Sequence, residues 1–453
     1  MGPLHPMPDA RNELPAAEEL ERLVGLALDE ARRHGAEAAE AAFSGDVGLS
    51  VNVRKGEIDT LEHHRGRDLG VTVYRGGCKG SASAGALSDD AVRDAVRAAC
   101  EIARYTSEDP ANGLAPPERM AERPPDLDLD HPWSLNAEGA VALARDCEAA
   151  AVAADRRIEN TEGAGVSIHR GRHAYGNSHG FFAVLPESRH SIHCVAVAGA
   201  GAGMQRDYWY TVARDPAALE RADTVGRKAA EHAVARLGAK SLSTVRVPVL
   251  FEASVARGLI GHLVAAVSGS ALYREASFLV SAAGEQLFPS WLQMVEWPHL
   301  PRALGSAAFD AEGVVTADSA LVRDGVLQRY VLDSYSARRL GLETTANAGG
   351  VHNLELGPGS EEFDGLVQRM GRGLIVTELM GQGVNLVTGD YSRGAAGFWV
   401  EDGAIVHPVE EVTIAGHLRD LFAGIQAVGS DMDRRGSIRT GSILIGEMTV
   451  AGQ

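Results

Sequence analysis

Not one of the 16 histidines in this 453-residue chain is followed by glutamate. A zinc peptidase of the helical-motif type needs two histidines close together on one helix with a glutamate beside them. The imidazoles hold the ion, and the carboxylate takes a proton from the bound water. That pattern is missing. Cysteine is scarce too: Cys78, Cys100, Cys147 and Cys194 contain no CxxC pair, so neither a zinc ribbon nor a redox pair is indicated. Four reduced core thiols of a cytosolic protein are expected instead. Aromatic residues make up only 5% of the chain, which offers few base-stacking platforms, and a net charge of −18 has the wrong sign for a nucleic-acid surface. No apolar run is long enough for a bilayer; the most apolar window, Gly258 to Leu272, is short and carries His262. Met1 to Glu19 is rich in proline and acids and lacks the apolar centre of a signal peptide, and Pro6 breaks the myristoylation pattern that Gly2 would begin. A cytoplasmic chain touching neither nucleic acid nor membrane is expected.

What the chain does have is apolar material and glycine. It is 45% hydrophobic and 23% charged, enough for two or three domains with their own cores. Its 52 glycines point to tight turns and close backbone approaches, which favour sheets. In residues 16–34, Leu20, Leu23, Val24, Ala27 and Leu28 recur at helical spacing, and Gly35 follows as a stop. Strand-like runs lie at 48–53 and 68–74, with Arg75-Gly76-Gly77 as a hairpin signal. Ser88 opens a second helix with Val92, Ala95, Val96, Ala99 and Ile102 on one face. A helix at 136–154, a β region from Ile158 to Arg214, and a helix at 216–237 opened by Asp215-Pro216 form a second unit. Beyond Ser241, a strand at Pro248–Phe251 and a short helix at Ala256–Val267 precede turn-rich sequence in which Asp324-Gly325 and Asp402-Gly403 mark hairpins. The expected fold class is α+β, with antiparallel sheets and flanking helices in the N-terminal half and a β-rich C-terminal domain. The expected units are 16–109, a Pro-rich acidic linker at 110–130, a central unit at 131–240 and a final domain at 241–453.

Three patterns invite a chemical reading. His169, His173 and His179 share strand parity, but ligands four and six residues from the first lie roughly 13 and 20 Å away at 3.3 Å per residue, too far for one ion on a flat strand. Gly176-Asn177-Ser178-His179-Gly180 fits GxSxG, yet a nucleophile elbow needs a helix after it, and Phe181 to Leu185 reads as a strand. Gly199 to Gly203 has no phosphate-binding fingerprint and reads as a turn. In the C-terminal part, Leu374 to Leu379 reads as a buried strand ending at Gly381-Gln382-Gly383, where the backbone can approach another chain closely. Asp390-Tyr391-Ser392-Arg393-Gly394 then puts an acid, a phenol and a guanidinium beside a turn. It reads either as part of a peptide-facing cleft or subunit interface, or as a structural turn closed by an Asp390–Arg393 ion pair.

These C-terminal segments, with Gly394 to Glu401, Asn160-Thr161-Glu162-Gly163, Arg206-Asp207-Tyr208, Ser334 to Arg338 and Glu447 to Gln453, resemble the PmbA (TldE) arm of the TldD/PmbA metallopeptidase family along nearly the whole chain. The resemblance implies a cytoplasmic chain that pairs with a TldD-like paralogue to cleave unfolded or modified peptides. In the TldD arm the zinc motif is HExxxH, with a further cysteine ligand near the C-terminus. Here the matching positions hold Gly261, His262 and Ala266, and no cysteine follows Cys194. The implied chain therefore has no catalytic residue and no metal of its own, with zinc in the partner subunit, and the isolated chain could form a homodimer. Peptide- or partner-contact candidates are His262, Thr377, Glu378, Gly381, Gln382, Gly383, Asp390, Tyr391 and Arg393. A regulatory or binding protein without hydrolysis is the alternative.

Overall fold

The computed structural model describes residues 14–357 and 359–452. Of the stretch read for a leader or acyl signal, residues 1–13 lie outside them, as does Gln453. β1 (Ala38–Arg54), β2 (Glu57–Arg75) and β3 (Cys78–Ala84) form one meander; β4 (Ile158–Asn177), β5 (Phe182–Ala198) and β6 (Gln205–Ala213) form another. β1 pairs antiparallel with β4, so both meanders make a single six-stranded sheet in the order β3-β2-β1-β4-β5-β6. The runs expected at 48–53 and 68–74 are thus the inner parts of strands 17 and 19 residues long. Lys55-Gly56 and Gly76-Gly77 close the β1–β2 and β2–β3 hairpins, all four with positive φ, as the tight turn that matches strand twist requires.

Helices α1 (Ala17–Arg33), α2 (Asp89–Tyr105), α3 (Ala137–Ala154) and α4 (Ala222–Ala235) cover one face of this sheet. Alternation decides which residues they meet: Phe43, Leu49, Val51 and Val53 of β1 are buried under them, whereas Asp46, Gly48 and Ser50 point to the other face. Ser88 caps α2 by accepting from Ala91 N at 3.3 Å, and Asn136 caps α3 by accepting from Gly139 N at 2.8 Å. On α2 the buried face is Val92, Ala95, Val96, Ala99 and Ala103; Ile102, expected there, is 43% exposed. Burying each valine contributes about 1.5–3 kcal/mol. The helix expected from residue 216 begins later. Asp215 caps a 3₁₀ turn at Pro216–Ala218, and α4 starts at Ala222. Buried Glu148 of α3 accepts from Lys55 N (2.7 Å) and Gly56 N (2.8 Å), tying the second unit to a turn of the first.

The C-terminal half is β-rich, as expected. It opens with β7 (Val245–Phe251) and α5 (Ala253–Ala266). A small sheet combines β8 (Met294–Glu296), β9 (Ser319–Arg323), β10 (Val326–Leu327), β11 (Leu354–Leu356) and β16 (Ile438–Arg439). The larger sheet runs β14-β13-β12-β7-β17-β15, from β12 (Gly373–Met380), β13 (Asp390–Glu401), β14 (Ala404–His417), β15 (Ile425–Val428) and β17 (Ile443–Ala451). β14 also pairs with β17, which closes the sheet on itself around a core that includes Val249, Phe251, Leu374, Trp399 and Ile443. Asp324-Gly325 and Asp402-Gly403 are the two-residue turns of β9–β10 and β13–β14, with φ of 52 and 76° and of 50 and 72°. No helix among the described residues is long and apolar enough to cross a membrane.

The segment 110–130 is packed along the junction of the halves. Ala111, Leu114, Ala121, Leu127 and Leu129 are buried, and Arg338 donates to the carbonyls of Ala111 (2.8 Å) and Gly113 (3.1 Å). Arg214, at the end of β6, is a second tie. Its guanidinium donates to Ala303 O and Leu304 O, each at 3.1 Å, and to Glu187 Oε2 at 2.8 Å.

Candidate functional site

β6 is an edge strand, and its outer side looks onto β12 and the first turns of α5 across a cleft. Two adjoining cavities of about 360 and 380 Å³ fill this cleft and share Asp207, Tyr208, Ser254 and Thr377 in their walls. Thr377 reaches both because pairing of β12 with β13 shifts register between Val376 and Glu378. The bulge leaves Thr377 unpaired and re-aims its side chain. Glu378, Arg393, Arg257 and Gly258 line the second cavity. Arg236 of the central unit bonds Asp207 at 3.4 Å and also holds Glu378, so one guanidinium spans the cleft floor between two carboxylates.

The first cavity has an aromatic wall. Arg435 lies 4.4 Å from the Trp209 ring centroid and 4.6 Å from that of Tyr210, and its charge is fixed by Asp433 at 3.0 Å. Arg257 donates to the Tyr210 hydroxyl at 3.1 Å. Glu252, just before α5, lines the same cavity. Burial holds its carboxyl above the ordinary range, against the pull of a 2.8 Å hydrogen bond from Ser254 Oγ. Glu252, Arg257, Tyr210 and Arg435 escaped the sequence reading, which had no spacing to mark them. Arg206-Asp207-Tyr208, noted there only as a shared segment, forms part of the wall.

The nominated residues separate into groups. Thr377, Glu378 and Arg393 line the cleft. His262 stacks edge-on against Tyr391, ring centroids 5.9 Å apart. Burial, with the Arg393 charge nearby, keeps its pKa below the usual imidazole value. Tyr391 is a core residue, 2% exposed; burial pushes its pKa up to about 12, and its hydroxyl has no hydrogen-bond partner among the described residues. Gly381, Gln382 and Gly383 form an exposed turn. The close approach at Gly383 is to its own chain: Ser392 N donates to Gly383 O at 2.6 Å, and a Cβ on Gly383 would fall 1.8 Å from Ser392 O. Asp390 is exposed and accepts from Thr388 Oγ1 at 2.6 Å. The Asp390–Arg393 ion pair does not form. The two residues lie three apart on a strand, hence on opposite faces, and Arg393 instead donates to Met380 O at 3.4 Å. Arg393→Ala should therefore leave stability within about 0.5 kcal/mol, as for a side chain with one long hydrogen bond; thermal unfolding checks this.

Ser178 is part of the β4–β5 turn. Its hydroxyl accepts from Ala39 N at 3.1 Å, a strand and not a helix follows, and no nucleophile elbow results.

Family models match three consecutive stretches: PmbA/TldA metallopeptidase domain 1 at residues 39–103, the central domain at 130–237 and the C-terminal domain at 244–452. The chain belongs to the PmbA/TldD metallopeptidase family. It is 46% identical to metalloprotease PmbA of Escherichia coli O157:H7 over 96% of both chains. A crystal structure of a putative modulator of DNA gyrase from Bacteroides thetaiotaomicron superposes with a TM-score of 0.91 at 27% identity, covering 96% of this chain and 99% of that one. TldE from Thermococcus kodakarensis shares the fold, with a TM-score of 0.83 at 20% identity over 96% and 100% of the two chains.

The family resemblance matches residues 261–266 of α5 to a zinc motif. A Cβ on Gly261 would meet only Ile438 Cδ1, at 3.9 Å, so the position has space but no ligand. Ala266 is fully buried in the core and is in the wall of neither cavity. Among the described residues, no group of three His, Cys, Asp or Glu side chains gathers at α5. These residues do not fit a zinc ion.

Proposed function

We propose that this chain is the subunit without catalytic metal in a cytoplasmic two-chain peptidase. A TldD-like paralogue supplies the zinc, and the cleft beside β6 holds an unfolded or modified peptide while the partner cleaves it. The observation that carries this reading is α5: among the described residues no set of metal-ligating side chains gathers there, and Gly261 and Ala266, which the family resemblance matches to the zinc histidines, offer no ligand, while a cleft lies beside its first turns. Support for peptide binding comes from the edge strand itself. An extended chain can add to a strand edge through backbone hydrogen bonds, which give affinity with little sequence preference. A cleft of this size admits an extended segment and excludes folded protein. Isolated, the chain pairs with a second copy of itself.

The other reading is a regulatory or binding protein without hydrolysis, favoured by the description of the Bacteroides structure as a putative modulator of DNA gyrase. The net charge of −18 weighs against direct contact with DNA. Capturing the tagged chain from its own cells and identifying the stoichiometric partner by mass separates the two. The peptidase reading expects a TldD-like chain carrying HExxxH. Recovery of a different partner, with none of that paralogue, contradicts it.

A further inference from the structure

The six-stranded sheet has a second face, opposite the one that α1 to α4 cover. There, three side chains from three adjacent strands converge: Asp46 of β1, His64 of β2 and His169 of β4. One ligand atom from each lies within 4.8 Å of the other two. His64 and His169 are two strands apart, about 9.6 Å by strand spacing, with one residue of β1 between them in register. That residue is Gly48. A Cβ on it would lie 2.1 Å from His64 Cε1 and 2.3 Å from His64 Nε2, so the ring crosses the strand over the space the glycine leaves. The two imidazoles meet nearly parallel, with centroids 5.8 Å apart.

Asp46 repeats the pattern. Its register partners are Gly66 and Gly171, and a Cβ on Gly66 would lie 2.5 Å from Asp46 Oδ1. Its carboxylate is 3.5 Å from His64 Nε2. The next histidine along the face, His173, is already engaged by Glu187 at 3.0 Å, and Glu187 by Arg214. Among the described residues, Asp46, His64 and His169 form the one set of three such side chains whose ligand atoms lie together.

We propose that Asp46, His64 and His169 bind one divalent ion of the zinc class, leaving a fourth position for water. Two imidazoles and one carboxylate suit zinc, cobalt or nickel; magnesium and calcium prefer all-oxygen sites. Metal–ligand bonds of 2.0–2.2 Å put tetrahedral ligand atoms about 3.4 Å apart, against 3.5 Å between Asp46 and His64 Nε2 and at most 4.8 Å across the set. The site lies on the N-terminal sheet, far in sequence from α5. It departs from the expectation of a metal-free chain without touching the proposal that catalytic zinc belongs to the partner.

The test uses the full chain, stripped with a chelator and titrated with Zn²⁺ by calorimetry and with Co²⁺ by visible absorption. One equivalent should bind, with a cobalt d–d band, and zinc should raise the melting temperature. His64→Ala, His169→Ala and Asp46→Ala should each weaken binding by at least about tenfold, the loss typical of removing even an outer-shell partner. The zinc-dependent rise in melting temperature should vanish with it. His262→Ala should bind as the unaltered chain does. No saturable binding, binding that survives all three substitutions, or binding lost only with His262→Ala would each overturn the proposal.

Discussion

Thr377→Arg is expected to reduce peptide cleavage by the paired subunits at least about tenfold, the equivalent of roughly 1.4 kcal/mol of lost transition-state stabilisation. Thr377 is the bulged residue of β12 and borders both cavities, so a long cationic side chain there fills the path an extended peptide would follow. The fold should tolerate it. The side chain is half-buried and opens onto the cleft, so arginine can run its stem along the wall and leave the guanidinium in water. Melting temperature and association with the partner are therefore expected to stay near those of the unaltered chain. Thr377→Ser should retain cleavage, since it keeps a small polar side chain at the bulge. Unchanged cleavage by the arginine variant would mean that the peptide runs elsewhere.

Arg214→Ala should destabilise the chain by about 3–5 kcal/mol, the range for removing one partner of a buried ion pair. Arg214 is 5% exposed and makes the two carbonyl contacts that tie β6 to residues 303–304. Its removal leaves Glu187 short of a partner and two carbonyls unsatisfied. The pH dependence gives an independent check. The hydrogen bond with His173, followed by that from Arg214, lowers the Glu187 pKa from 4.5 to about 2. At about 1.4 kcal/mol per unit, the ionised carboxylate contributes roughly 3 kcal/mol. Because the folded pKa is depressed, this stability is fully present above pH 4.5 and is lost as pH falls toward 2. Glu187→Gln should be markedly less stable than the unaltered chain at pH 6, and the gap should shrink steadily below pH 4.5. A constant gap from pH 6 to pH 2 would remove the electrostatic account. Measured by the same unfolding experiment, Arg393→Ala provides the contrast, with a near-neutral effect.

Much of the fold is legible because its signals are local. The turns at 324–325 and 402–403 carry residues chosen for positive φ, and Ser88 and Asn136 announce helices by side chains that cap them. The outer half of β2 is not legible. Around Glu62-His63-His64-Arg65 both faces of the strand meet water, so no alternation of apolar and polar residues marks it. Asp215-Pro216 does start a helical turn, but a short 3₁₀ one, and a local capping signal cannot say how far a helix continues.

The cleft was partly legible. The run Leu374 to Leu379 reads as a regular strand, and only the shift of pairing against β13 shows that Thr377 leaves it. Asp390 and Arg393 look like natural partners three residues apart in the sequence, and strand parity separates them. His169 shows the opposite error. Weighed against His173 and His179 along one strand, it had no companion within reach of one ion. Its neighbours come from β1 and β2, brought beside it by sheet register and by the missing side chain of Gly48.

An unstructured peptide incubated with this chain alone, with a TldD-like subunit alone and with both together is the most direct measurement. The account predicts efficient, chelator-sensitive cleavage by the pair, none by this chain, and little by the partner alone. Chelator-sensitive cleavage by this chain alone, or full cleavage by the partner alone, would contradict it.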